Sequence, residues 1–135
     1  MDNQSIIGHI YECFGKGDVP AILERISEDV KWEHWDKNHA QATGIAYMQR
    51  RQGKQGASDF FGTLAAIEMR DFKVLSILSG GNKVCVEVVI EFKVKATGKI
   101  LRDEELHLWT LDDRGQVIGL RHYVDTAKHI EANTG

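Results

Sequence analysis

Arg121, Tyr123 and Asp125 stand two apart in the stretch from Gly115 to Thr126, and of all positions in this 135-residue chain they most clearly offer chemistry. A carboxylate can take a proton, a phenol can give one, and a guanidinium can hold an anion. The stretch alternates, with Val117, Arg121, Tyr123 and Asp125 on one strand face and Ile118, Leu120, His122 and Val124 on the other. Three polar groups opposite an apolar face either meet water or line a pocket, and a pocket is the expectation. On an extended strand Tyr123 lies about 6.6 Å from Asp125 and Arg121 about 13 Å, so only the first two can touch one ligand atom. Asp125 has a second possible task, capping a short helix that starts just beyond it.

Two histidines are candidates to join them. His34 shares a face with Val30 and Trp32; a buried imidazole needs a partner, so it reads either as a satisfied core histidine or as a proton acceptor. His107 alternates with Asp103, Glu105 and Trp109, opposite Leu106 and Leu108. A leucine face packed inward would leave His107 at the surface, and the opposite packing turns it inward. Trp32, Tyr47, Phe60 and Trp109 supply core or cavity wall. His34, His107 and Asp125 form a two-histidine, one-carboxylate set on paper, but no two are near in sequence, and no metal is expected. Neither cysteine nor any serine sits in an activating context for nucleophilic catalysis.

The elements that must position these groups follow from period and punctuation. Ile6, Ile7, Ile10, Cys13 and Phe14 have helical spacing from Ser5 to Phe14, stopped by Gly15 and Gly17. Asp18 caps a second helix, Val19 to Ile26, with Pro20 in its first turn. A strand covers 29–35, residues 36 to 56 read as a long loop over the pocket mouth, and Ser58 caps a third helix through Phe60, Phe61, Leu64 and Ile67. A meander follows: Phe72 to Leu78, Val84 to Val94, Ile100 to Leu111 and the last strand, joined by Gly- and Asp/Asn-bearing turns. Thr126 to Ala132 reads as a short helix. Helices first and an antiparallel meander afterwards give an α+β class, a curved sheet half-closed by helices around a cavity.

Bulk composition narrows the function. Hydrophobic content of 42% and charged content of 27% suit one globular domain over residues 1–135. A net charge of −3 and a pI near 6.1 argue against nucleic acid or an anionic membrane as partner. The basic run Arg50 to Lys54 reads as solvated loop. No apolar segment reaches membrane-helix length, and a Met-Asp-Asn-Gln start is too polar for a signal peptide. Cys13 and Cys85 lack metal-type spacing, so reduced thiols and a cytoplasmic location are expected.

Taken in order, Phe14 to Leu23, Glu28 to Trp32, the Ser58-Asp-Phe-Phe-Gly helix, Ala96 to Lys99 and Arg121 to Thr126 resemble the nuclear-transport-factor-2-like superfamily, in its SnoaL-like and ketosteroid-isomerase-like branch. The resemblance implies a cone-shaped α+β barrel, with N-terminal helices packed on a curved, mostly antiparallel sheet, and a homodimer through that sheet. It sets His34 where the isomerases keep their general-base aspartate and His107 where they keep a protonated aspartic acid. Their oxyanion tyrosine corresponds to Ile10, so that donor is expected to be missing and steroid isomerisation is not implied. SnoaL-type cyclases use an aspartate at the end of the last strand, which Asp125 matches. Epoxide hydrolases of this kind need an Arg and Asp pair where this chain has Glu87 and Glu91. The expectation is a cofactor-free acid/base isomerase, cyclase or dehydratase/hydrolase acting on a small apolar or amphipathic carbonyl compound. The alternatives are a binding module without chemistry and a dimeric interaction domain.

Overall fold

A computed structural model covers Met1–Gly135. Helix α1 (Asn3–Gly15) starts where the Asp2 carboxylate accepts from the Ser5 N–H, and it buries Ile6, Ile7, Ile10 and Cys13. Helix α2 (Val19–Glu24) is capped by Asp18 and ends two residues earlier than its pattern suggests. Ile26 therefore opens strand β1 (Ile26–Trp32), its side chain fully buried. Strands β3 (Ile67–Gly80), β4 (Lys83–Val94), β5 (Ile100–Leu111) and β6 (Val117–Tyr123) form the meander, and α5 (Thr126–Ala132) closes the chain. With the two-residue β2 (Arg51–Gln52), the six strands run in the order β2-β1-β6-β5-β4-β3. All neighbours are antiparallel except β1 and β6, so the sheet is mixed, and it is not closed.

The long loop expected over the mouth is instead compact structure. Asn38 and Gln41 make a reciprocal capping box on α3 (His39–Ala42), a 3₁₀ turn carries Ala46–Met48, and β2 leads directly into α4 (Gly53–Thr63). Tyr47 and Met48 are buried beneath this segment, so Tyr47 belongs to the interior and not to a lid. Helix α4 begins five residues before Ser58 because Gly53 takes φ +78°, where a Cβ would stand 3.1 Å from the Glu28 carbonyl oxygen. Only glycine makes that junction without strain.

Burial alternates along the meander. Val84, Val86, Val88, Ile90, Phe92 and Val94 of β4 point inward, as do Leu101, Asp103, Glu105, His107, Trp109 and Leu111 of β5. The leucine face holding Leu106 and Leu108 is thus the outer one, and three ionisable side chains enter the core side by side. Strand β6 breaks its period. A register shift lies between the pairs Thr110–Gly119 and Leu111–Val117, so Val117 and Leu120 both face inward. A bulge of this kind reverses the face of every later residue.

No helix is long and apolar enough to cross a membrane.

Candidate functional site

Between the sheet and the helices lies a cavity of about 90 Å³ lined by 22 residues, 18 of them hydrophobic. At roughly 10–15 Å³ per water it holds about six waters or a comparable fragment of a ligand. Helix α1 contributes Tyr11 and Phe14, β1 contributes Trp32, α4 contributes Phe60 and Phe61, and the 3₁₀ turn contributes Tyr47. Glu105, His107, His122 and His129 are its carboxylate and imidazole lining groups.

Of the residues proposed from the sequence, His107, Trp32, Tyr47, Phe60 and Trp109 line this cavity. The other four do not. Because of the β6 bulge, Leu120, His122 and Val124 face inward, which turns Arg121, Tyr123 and Asp125 outward. Arg121 donates to the His34 carbonyl and stacks 4.5 Å from the Trp35 ring. Tyr123 packs edge-on against Trp35 at 4.8 Å. Asp125 caps α5, its carboxylate accepting from Lys128 N, and faces a shallow outer groove. The expected convergence of Asp125 with the histidines is corrected accordingly. His34 is displaced for a similar reason. Glu33 adopts φ +56°, which ends the pleat of β1, so Glu33 enters the core and His34 leaves it for the Arg51 carbonyl at 3.0 Å. Burial holds the His34 imidazole below its ordinary value.

The inward groups pair in a single consistent pattern. Trp109 Nε1–H donates to the Tyr11 hydroxyl at 3.0 Å, and that hydroxyl lies 2.6 Å from His107 Nδ1. His107 Nε2 lies 3.3 Å from Glu105 Oε1. Burial, aided by the charge of His122, lowers His107 to about 4. The ring is then neutral near neutrality, its Nε2–H donating to Glu105 and its Nδ1 accepting from Tyr11. Burial also pushes the Tyr11 phenol far up, which keeps its proton in place. The first helix therefore does supply a hydroxyl to the cavity, one position beyond Ile10.

Glu105 joins this chain to a second. Its Oε2 lies 2.9 Å from His129 Nε2, which is also 3.1 Å from Asp103 Oδ2. Burial works against charge on both partners. For Glu105 the hydrogen bonds from His107 and His129 prevail and bring it well below the usual carboxylate range; for His129 the bonds to Asp103 and Glu105 prevail and raise it to about 9. His129 is thus a cation, and both its nitrogens donate. Its Nδ1 is 2.8 Å from the Tyr47 hydroxyl, which also accepts from Asn133 Nδ2 at 2.9 Å. Both lone pairs of Tyr47 are then used, and its own proton has no acceptor in the protein.

His122 faces His107 across the β5–β6 ladder, ring centroids 4.4 Å apart. Its Nδ1 is 3.0 Å from Glu33 Oε1, an oxygen that also accepts from the His122 backbone N–H. Burial would depress this imidazole, yet the neighbouring Glu33 outweighs it and raises the pKa. Nε2 makes no hydrogen bond within the protein. A carboxylate-oriented imidazole with one free nitrogen on a cavity is suited to moving a proton. Trp32 Nε1 is likewise without a partner, although the residue is fully buried.

Asp103, Glu105 and His129 also place three possible metal-ligating atoms within 4.8 Å of one another. The His129 proton, shared between the two carboxylates, already satisfies that triad.

The sequence carried part of this signal. The alternation of Asp103, Glu105, His107 and Trp109 marks one face, and the placement that turns His107 inward turns Asp103 and Glu105 inward with it. Glu33 and His122 are hidden by backbone irregularities, and Tyr11 and His129 carry no motif.

A family model described as the SnoaL-like domain matches residues 7–119. No curated protein matches the sequence. Among solved structures, a nuclear-transport-factor-2-like protein of unknown function from Burkholderia pseudomallei K96243 superposes with a TM-score of 0.83 at 21% identity, covering 100% of both chains. A provisionally named polyketide cyclase from Pseudomonas putida KT2440 gives 0.73 at 19% identity over 98% of each chain. TerC, co-crystallised with polyporic acid, gives 0.78 at 21% identity over 96% of each. These likenesses establish the fold, a cone-shaped α+β arrangement.

Two of the shifted histidines, His129 and His107, set opposite arms of a stability profile. His129, raised from 6.5 to about 9, stabilises fully below pH 6.5 and progressively less as pH rises to 9. His107, lowered to about 4, stabilises above pH 6.5 and loses that contribution as pH falls towards 4. Thermal unfolding is expected to show a maximum near pH 6.5, and His129→Gln is expected to flatten the alkaline arm. An alkaline arm of unchanged slope in that variant contradicts the assignment.

Proposed function

The chain belongs to the SnoaL-like domain family, and from that membership and its cavity we propose that it binds a small, mainly apolar carbonyl compound and moves a proton on it with its own side chains. The observation that carries this reading is the Glu33–His122 pair, whose free Nε2 meets a largely apolar cavity. His122 takes a proton from the carbon beside the carbonyl, and Glu33 stabilises the imidazolium formed. Tyr47, with a hydroxyl proton that nothing in the protein accepts, donates to the oxygen where negative charge builds. His107, fixed between Tyr11 and Glu105, positions the Tyr11 phenol on the same wall. Isomerisation, aldol cyclisation and dehydration all begin with such a step. Relatives of this fold that are named as a polyketide cyclase or were crystallised with polyporic acid fit a flat, oxygenated ligand.

A binding module without chemistry is the second reading. Tyr11, His107 and Glu105 satisfy one another within the protein, which favours it. Proton exchange separates the two. With a panel of small ketones in D₂O, the acid/base reading expects α-proton exchange faster than in buffer. It also expects a loss of about 100-fold in His122→Gln, in line with the usual contribution of one acid/base group, while Asp125→Asn and His34→Ala keep their rate. Binding without accelerated exchange by any ketone favours the module and contradicts catalysis.

The same reading includes a homodimer. Leu78 of β3, Leu106 of β5 and Tyr123 of β6 share the outer sheet face by register, and all three are exposed. Apolar surface of this kind marks an interface. Sedimentation is expected to give twice the 15.2 kDa chain mass, and Leu78→Asp the single mass; a wild-type monomer excludes the dimer.

A further inference from the structure

The cavity contains one polar group that the protein leaves wholly unanswered. Trp32 is fully buried at the end of β1, lines the cavity, and has no partner for its indole Nε1–H. Its neighbours are rings: Phe60 at 5.2 Å, Phe61 at 5.9 Å and Trp109 at 6.2 Å between centroids. None of them offers a lone pair, and the indole nitrogen of Trp109 is already committed to Tyr11. Buried donors in folded proteins are nearly always matched, and one that is not calls for a partner absent from the chain. The hydroxyl proton of Tyr47 stands in the same position, because His129 and Asn133 occupy both lone pairs of its oxygen. Trp32 and Tyr47 thus both offer donors, so a ligand that answers them must bring acceptors.

The charge around the cavity narrows the acceptor further. Glu33, Asp103 and Glu105 are all buried, and they are set against the two imidazoles His122 and His129. A fourth acid brought in as a carboxylate adds negative charge where carboxylates already outnumber their partners, and burying such a charge is costly. A ketone oxygen brings lone pairs without that cost, and flat rings suit walls built from Trp32, Trp109, Phe60 and Phe61.

We propose that the Trp32 indole N–H is the docking point for the neutral carbonyl oxygen of a flat, aromatic or polycyclic ketone, and that it selects such ligands over their deoxygenated and carboxylate counterparts. This rests on the cavity reading above and adds to it the atom that recognises the ligand.

The test uses three matched probes on the full chain, measured by titration calorimetry: 1-tetralone, tetralin, which lacks the oxygen, and 5,6,7,8-tetrahydro-1-naphthoate, which carries a charge instead. Wild-type protein is expected to bind 1-tetralone about tenfold more tightly than tetralin, the selectivity that one hydrogen bond confers, and the carboxylate more weakly than the ketone. Trp32→Phe is expected to bring the ketone and tetralin to equal affinity. Because Trp32 is a core residue, a second measurement is made on the wild-type fold. In ¹⁵N–¹H spectra the Trp32 indole proton is expected to move downfield with 1-tetralone and to stay in place with tetralin. Equal affinity for the two in wild type, a preference that survives Trp32→Phe, an unmoved indole signal, or tighter binding of the carboxylate overturns the proposal while leaving the cavity reading intact. Failure of all three probes to bind overturns both.

Discussion

Burying two ionised carboxylates on one strand face is costly unless a cation lies between them, and in this protein that cation is His129. Asp103 and Glu105 alternate on β5, each nearly inaccessible, and His129 Nε2 reaches both. Removing one partner of such a group leaves a buried charge uncompensated, at a cost of about 3–5 kcal/mol. The position of α5 is therefore fixed by electrostatics as much as by packing. Asp125 caps the helix, the Asp103 carboxylate accepts from Asp125 N, and Thr97 donates to the Ala132 carbonyl at 2.6 Å. Asn133 ties the end of the helix to Tyr47. The aspartate that seemed a reagent thus serves the site as a fastening, holding the imidazole that allows the β5 acids to remain inside.

From that triad the polarity of the whole cavity follows. Glu105 passes the pattern to His107, His107 to Tyr11, and Tyr11 to Trp109, each donor facing one acceptor. Burial strengthens each of these bonds and raises the penalty for leaving one unmade. The groups left over are the Nε2 of His122, the hydroxyl proton of Tyr47 and the Trp32 N–H, and all three belong to side chains lining the same cavity.

Much of the architecture was legible in the sequence. Strands β4 and β5 fell where alternation and glycine placed them, because valine-rich β4 and the β5 face leave little choice of period, whereas β3 begins at Ile67, five residues before Phe72, and takes a residue expected in the third helix, which ends at Thr63. Helix α5 spans the residues its pattern proposed, Thr126–Ala132. The site was less legible, for two backbone reasons. The bulge in β6 exchanged the faces of Arg121 and His122, and the left-handed Glu33 exchanged Glu33 with His34. No glycine marks Glu33, and although Gly119 flanks the β6 shift, a period of two cannot register a single inserted residue. The segment read as a long loop was missed as structure because a capping box and a 3₁₀ turn, each only three or four residues long, are too short to impose a period.

The central claim is that buried pairing, and not solvent, sets the protonation of the inward histidines. Histidine side-chain ¹⁵N chemical shifts followed from pH 4 to 10 test it most directly, since they report tautomer and charge for each ring separately. The account predicts His129 doubly protonated until about pH 9, and His107 neutral with its proton on Nε2 until about pH 4. Both rings titrating together near pH 6.5, the ordinary value for a solvated histidine, would contradict it.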